Sequence, residues 1–229
     1  MFDQLKSLLP NRPVPTRIWR GPFQGAYPVM NPRHSLRKIF GLYEHELNGW
    51  LEQALRRVNR VIDVGANDGY FTFGCAAAFR RLGREGEIIA IELQDQHMVK
   101  LREGFERHQH PGVRFDLVQA YAGSEVKPGF VTLDSLEVAG ARTQTLIKID
   151  VEGAEVDVVE GARSWMAESN LFVIEVHEQR FLEPLNKIFA ERGHRLIQVD
   201  QRPLPLLGRE VREVENWWLV SDLAANAVA

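Results

Sequence analysis

From Arg60 onward the chain alternates short apolar runs with amphipathic stretches. Val61–Val64, Glu87–Leu93 (EIIAIEL), Val113–Gln119, Leu146–Asp150 (LIKID) and Leu171–His177 (LFVIEVH) have strand length. Most are nearly continuous in apolar residues, which suits strands buried on both faces of a parallel sheet. Between them, Phe71–Leu82, Asp95–His108, Gly153 to about Ala167 and a stretch reaching Ala190 suit helices. In the second of these, Asp95 is the expected N-cap, with Met98, Leu101 and Phe105 inward. Arg195–Val199 and Trp217–Val220 are candidate last strands, and one of Trp217 and Trp218 is expected to pack inward. Ser124–Gly140 is less regular, with one helical turn expected at Asp134-Ser135-Leu136. This alternation predicts an α/β fold: a doubly wound, mostly parallel sheet with helices on both faces.

Upstream the pattern changes. Residues 43–58 place Leu47, Trp50, Leu51, Ala54, Leu55 and Val58 at helical spacing. Residues 1–42 are punctuated by Pro and Gly, which favours extended segments and turns. Trp19, Phe23 and Tyr27 lie within this arm, and a disordered tail carries few aromatics, so the arm is expected to pack on the core. The chain therefore divides into an arm (1–42), one domain (43–222) and a loose tail (223–229), with no internal repeat.

Composition narrows the class. With 229 residues, 45% hydrophobic and 26% charged, the chain suits one soluble domain. No apolar run approaches the roughly 18 residues of a membrane span. The start, MFDQLKSLLPNRP, meets an acid and a proline too early for a signal peptide, and the single Cys75 precludes an internal disulfide or zinc knuckle. A cytoplasmic location is expected. Residues 1–60 hold ten Lys/Arg against four Asp/Glu, and the remainder eighteen against twenty-seven. A basic leader can bind nucleic acid or an anionic surface. Without a dense basic run, a solvated extension over an acidic domain is the favoured reading, and no nucleic-acid partner is expected.

Arg60 to Phe73, RVIDVGANDGYFTF, carries the clearest chemistry. An apolar run ends in Asp63 and turns through Gly65-Ala66-Asn67-Asp68-Gly69 into a helix, delivering backbone and a carboxylate to the sheet's carboxyl edge. The spacing is not the GxGxxG of nicotinamide enzymes. Glu92 closes the next strand 29 residues after Asp63, where a carboxylate can hold the two hydroxyls of an adenosine ribose. Together they point to an adenosine-containing ligand.

DVGANDGYFT, IAIEL, TLIKIDVEGAEVDVVEGA and FVIEVHE resemble the FkbM-type methyltransferases, which use S-adenosylmethionine (SAM). The similarity covers roughly Tyr43 to His177, and Leu146–Ala162 is its most specific block. It implies the Rossmann-like class I methyltransferase fold and O-methylation of a sugar or small natural product. It also implies that Asp63, Gly65, Ala66, Asn67 and Gly69 line the methionine part of SAM, that Glu92 binds ribose, and that Gln119 or Ala120 lies near adenine. One departure bears on the acceptor: Tyr121–Val131 is short where the family often carries a longer insert.

Lys148 and Asp150 share one strand face, as do Glu175 and His177. In adjacent strands in register, Lys148 would pair with Glu175 and Asp150 with His177. The first pair is expected to be structural. The second is expected to be catalytic, with His177 as the base that takes a hydroxyl proton and Asp150 as its orienter or a substrate ligand. Glu152 and Glu155 add carboxylates at this edge, and Glu152, Tyr43 and His45 are candidate acceptor contacts. Asp150, Glu152 or His177 could hold a divalent cation, but no ligand spacing demands one, and none is expected. Cys75 is expected in the core. His34, His45, His97, His108, His110 and His194 are expected to be solvated. The alternatives are a nucleic-acid methyltransferase, a nicotinamide oxidoreductase and a non-catalytic SAM-fold binding protein. The oxidoreductase lacks the third fingerprint glycine. Asp150-Val151-Glu152-Gly153 departs from the Asn/Asp-Pro-Pro-aromatic motif usual in exocyclic-amine methyltransferases.

Overall fold

The computed structural model describes residues 9–204, 208 and 216–224. Its centre is a seven-stranded sheet built from β1 (Arg60–Val64), β2 (Gly86–Glu92), β3 (Val113–Gln119), β4 (Thr145–Ile149), β5 (Leu171–Val176), β6 (Leu196–Val199) and β7 (Trp217–Ser221). The spatial order is β6-β7-β5-β4-β1-β2-β3, and β7 runs antiparallel to both its neighbours. Chain order reverses beside β1, so β1 and β4 form the switch point where an open α/β sheet leaves a crevice at its carboxyl edge.

Period-two alternation divides the strand residues between two buried layers. Val61, Ile88, Ala90, Leu146 and Val173 face one, and Ile62, Ile89, Ile147, Phe172 and Ile174 the other. The first layer is covered by α1 (Asn48–Arg57), α2 (Tyr70–Arg81) and α3 (Asp95–His108), and the second by α4 (Glu155–Glu160) and α5 (Leu182–Ala190). Asp63 and Lys148 fall in sequence with the first layer, as do Asp150, Glu175 and His177 two and four residues along their strands. These charges therefore lie on the side of the sheet that the arm covers.

The arm joins that first layer. Ile18, Phe23 and Ala26 are buried in it, and the Trp19 N–H donates to the Ile39 carbonyl at 2.8 Å, tying its two legs together. The Phe23 ring meets Tyr70 and Phe71 edge-on and fills the space where a Gly74 side chain would stand. Burying one such ring contributes about 1.5–3 kcal/mol. At the other end Leu223, assigned to the tail by sequence, is buried, and its carbonyl accepts from Arg57 at 2.9 Å. Residues 1–8 of the expected arm and 225–229 of the expected tail lie outside the described residues.

Several local expectations need correction. Gln94, not Asp95, is the residue before α3. The helix expected from Gly153 to Ala167 is split into α4 and a short turn, Arg163–Trp165. Gly161 breaks it, because its carbonyl accepts from Asp134 N–H at 2.8 Å and a Cβ there would strike the Gly123 carbonyl. His108 and His194 are buried rather than solvated. Their rings pack on Phe73 and on Phe172 and Phe189. Cys75 is buried, and Trp218 is the inward-packing member of its pair. No helix among the described residues is long and apolar enough to cross a membrane.

Candidate active site

The loop after β1 needs glycine for two reasons at Gly65. Its φ is +77°, and a Cβ would come within 1.9 Å of the Asp150 carbonyl oxygen at the end of β4. Close approach of β1 and β4 thus fixes the residue type. Four of the five backbone N–H groups of Gly65–Gly69 are already committed. Gly65 and Ala66 N–H donate to the Ile91 carbonyl at 3.0 and 3.1 Å, Asn67 N–H to Glu92 Oε2 at 2.8 Å, and Gly69 N–H to Ala66 at 2.9 Å. A pyrophosphate needs such donors free and pointing outward.

Glu92 at the end of β2 is buried and held open by backbone. Its Oε1 accepts from Leu93 and Gln94 N–H, both at 2.8 Å, which uses that oxygen's lone pairs. Oε2 accepts only from Asn67, has room for one more donor, and lies 3.7 Å from His97 Nδ1. Gly65, Asn67, Glu92, Ala120, Asp150 and Glu152 all line one cleft of about 380 Å³ at the carboxyl edge. That volume is in the range of small-molecule sites.

Through Asp150, which lines it, the cleft adjoins a charged cluster, the charged wall. Lys148 does not face Glu175, because the parallel register sets Lys148 opposite Val173. Its Nζ lies 2.9 Å from Asp150 Oδ2 and 3.2 Å from Asp63 Oδ1, and donates to the Gly65 carbonyl at 2.9 Å. Burial pulls the Lys148 ammonium down, yet these two carboxylates outweigh it and hold its pKa above the ordinary lysine value. Asp63 is fully buried and accepts from Thr72 Oγ1 at 2.5 Å. It supports the loop through Lys148 and presents no surface to the cleft.

His177 Nε2 is 3.7 Å from Asp150 Oδ1, an ion-pair distance rather than a hydrogen bond. The orienter is Glu155: its Oε1 accepts from His177 Nδ1 at 2.8 Å and from the His177 backbone N–H at 3.0 Å. Glu155 is fully buried, and its Oε2 has no hydrogen-bond partner among the described residues. The Glu155 hydrogen bond raises the His177 pKa against the opposing effect of burial, with Glu175 and Asp150 adding to the rise. Burial pushes Asp150 upward, but Lys148 outweighs it and holds the carboxyl below the usual range. Glu175 is pushed up to about 9 by burial and by the nearby charges of Asp150 and Glu44. The Asn216 amide donates to its Oε1.

The residue just past the arm completes this wall. Tyr43 is near enough to Glu175 and Asp150 to feel both charges, and burial followed by Glu44 pushes its phenol well above the ordinary range. Its ring meets Tyr70 edge-on, and the Lys38 ammonium lies over both rings. Glu44 holds a left-handed backbone, φ +47°, which is uncommon outside glycine. His45 turns instead to Glu46, 3.3 Å away.

No family model matches the sequence, and no curated protein sequence does. In three dimensions the chain is similar to the methyltransferase FkbM of Methylobacillus flagellatus KT, with a TM-score of 0.57 at 18% identity over 72% of this chain and 44% of that one. It thus spans less than half the length of that protein. It is also similar to precorrin-6y C5,15-methyltransferase of Geobacter metallireducens GS-15, with a TM-score of 0.51 at 14% identity over 79% and 86% of the two chains. A third likeness is to M. jannaschii TYW2 in complex with AdoMet, with a TM-score of 0.50 at 15% identity over 86% and 81%. The chain has the Rossmann-like class I methyltransferase fold.

Within that fold the residues singled out by sequence fall into three groups. Gly65, Asn67, Glu92, Ala120, Asp150 and Glu152 line the cleft. Asp63, Ala66 and Gly69 stand behind it, with Gly69 (φ +84°) packed against Phe73. Gln119 lies at the edge, its amide donating to Asp95 Oδ1 at 2.5 Å. His177 and Tyr43 belong to the charged wall, and His45 does not join them. Sequence reasoning missed the roles of Glu155 and His97. Glu155 opens α4, directly after the strand end that carries Asp150, and that placement was the available signal.

Proposed function

We propose that this protein is a SAM-dependent methyltransferase acting on a hydroxyl of a sugar or small natural product. The observation that carries the reading is the pairing of a loop in which four of five backbone N–H groups are internally committed with a carboxylate, Glu92, that closes β2 at the same cleft. That pairing suits an adenosine ligand without a pyrophosphate, and disfavours a dinucleotide. Gly65 and Asn67 would hold the amino-acid end, Glu92 Oε2 a ribose hydroxyl, and Ala120 would border the base.

SAM supplies a methyl group on a sulfonium centre. The chain contributes position: holding both reactants at near-attack distance is worth roughly 7–11 kcal/mol in favourable cases. The acceptor hydroxyl would sit against the wall of Asp150, His177 and Tyr43, where carboxylate and imidazole groups accept its hydrogen. Removing such a group typically lowers turnover by about 10²–10⁴-fold. Titration calorimetry with SAM and with NADH tests the cofactor, and methyl transfer from labelled SAM across sugars, glycolipids and secondary metabolites tests the acceptor. Tight NADH binding with none to SAM would end this reading.

A nucleic-acid acceptor is the second reading. Residues 9–42 carry Arg12, Arg17, Arg20, Arg33, Arg37 and Lys38 and no acid, and the exposed Trp19 lies beneath the Arg17 guanidinium. Aromatic and cationic side chains together suit a single strand. RNA binding that weakens steeply with salt would favour it.

A further inference from the structure

We infer that the carboxyl ends of β4 and β5 hold one divalent transition-metal cation, bound by Asp150 Oδ1, one oxygen of Glu175 and His177 Nε2. One ligand atom from each of these residues lies within 4.8 Å of the others, and Asp150 Oδ1 and His177 Nε2 are 3.7 Å apart. Three ligands about 2.1 Å from one ion stand about 3–4 Å from each other. The group therefore needs to close by about an ångström at its widest gap, which side-chain rotation supplies.

The surroundings single this cluster out from an ordinary acidic edge. Lys148 is committed to Asp63 and to the other Asp150 oxygen, Oδ2, leaving Oδ1 turned toward the imidazole. One carboxyl oxygen of Asp150 and one of Glu175 lie within 4.8 Å of each other, so two groups that repel when ionised are held close together. Independently of them, Glu155 fixes the imidazole from behind. With Nδ1–H donated to a fully buried carboxylate at 2.8 Å, the His177 lone pair is left on Nε2, facing the cluster. A carboxylate behind the histidine is the usual outer support of a metal-bound imidazole. The second Glu155 oxygen is buried and without a hydrogen-bond partner among the described residues.

The ligand set decides the class of ion. One imidazole and two carboxylates suit manganese, iron, cobalt or zinc, whereas magnesium and calcium prefer oxygen donors alone. Three protein ligands leave coordination positions open, as in catalytic rather than structural sites. What the cation would serve rests on the proposed function: its open positions would seat acceptor oxygens, and His177, with Nε2 bound, would then act through the metal in place of its role as base. The site itself rests only on its residues.

Titration calorimetry of the full chain, stripped with EDTA, with MnCl2 and ZnCl2 tests the assignment, alongside Mn²⁺ paramagnetic resonance. One saturable site is expected for each ion, with MgCl2 and CaCl2 binding at least tenfold more weakly. Glu175→Gln and His177→Asn should each weaken binding tenfold or more, and Glu155→Gln about 10–100-fold. Circular dichroism and SAM titration of each variant establish that it is folded. No saturable binding at millimolar Mn²⁺ and Zn²⁺ would overturn the inference, as would affinity unchanged in folded Glu175→Gln and His177→Asn, or preference for Mg²⁺. Because SAM and metal are titrated separately, a protein that binds Mn²⁺ but not SAM keeps the site and loses the methyltransferase reading. The reverse result keeps that reading and loses the site.

Discussion

The two edges of the central sheet carry similar charged side chains and use them in opposite ways. At the amino edge Arg60, Glu87 and Arg114 stand side by side on β1, β2 and β3. Arg60 Nε donates to Glu87 at 2.6 Å, its other nitrogens take the Ala141 and Ala139 carbonyls, and Arg114 bonds the second Glu87 oxygen. With Asp116 Oδ2 3.6 Å from Arg114, two arginines meet two carboxylates, and the matched charge closes the strands onto a loop. At the carboxyl edge four carboxylates, Asp63, Asp150, Glu155 and Glu175, meet one lysine and one histidine. The matched cluster stabilises the fold. The unmatched one keeps binding capacity, which is how carboxyl edges of open α/β sheets serve ligands.

Substitutions can test that division directly. The largest effect is expected from His177→Ala, which should lower methyl transfer to an identified acceptor by about 10²–10⁴-fold with SAM affinity retained. Near-normal turnover would place the acceptor chemistry elsewhere. Arg60→Met should do the reverse. It leaves buried Glu87 without its main partner, at a cost of about 3–5 kcal/mol in denaturant unfolding, while SAM affinity of the folded protein is unchanged. Parallel losses of stability and SAM affinity would erase the contrast between the edges. Glu155→Gln comes next, with about a 10-fold loss of turnover and unfolding stability within about 1 kcal/mol of the parent.

The smallest effect concerns pH and the joint between arm and core. His108 Nε2 accepts the Tyr27 N–H at 2.9 Å while Nδ1 lies 2.7 Å from the Gly104 carbonyl, an arrangement that requires the neutral ring. Burial lowers its pKa, the Gly104 carbonyl opposes that, and Arg107 and Arg80 lower it further. Below about pH 6.5 the unfolded chain takes up a proton that the folded site resists. Its contribution is therefore complete above that pH and lost as pH falls toward the folded value. Melting temperatures followed from pH 7.5 to 5 should fall less steeply for His108→Gln than for the parent. Equal slopes would remove His108 from the joint.

Much of this organisation was legible in the residues. Buried strands announce themselves by apolar runs, and β1 to β5 begin and end within about a residue of the expected positions. Glu92 and Asp150 stand at strand ends, so chain position alone brought them to the cleft. Lys148 was placed on the right face with the wrong partner, because alternation fixes the face and says nothing of register between parallel strands. Asp63 sits one residue inside β1, and that single residue separates a buried support from a lining side chain. The polarity of His108 suggests a solvated residue, although it follows Leu101 and Gly104 at spacings of seven and four. That is the buried face of α3, which polarity obscured.

Tyr43 joins the charged wall, and its ring meets the same Tyr70 ring that Phe23 of the arm meets. An acceptor that touches Tyr43 and the docking of Phe23 against Gly74 are thermodynamically linked, each strengthening the other by one common factor. Under the proposed function, the dissociation constant of an acceptor bound at Tyr43 is consequently a joint property of pocket and arm. Enlarging Gly74 to alanine, which crowds Phe23 without touching the cleft, should raise it.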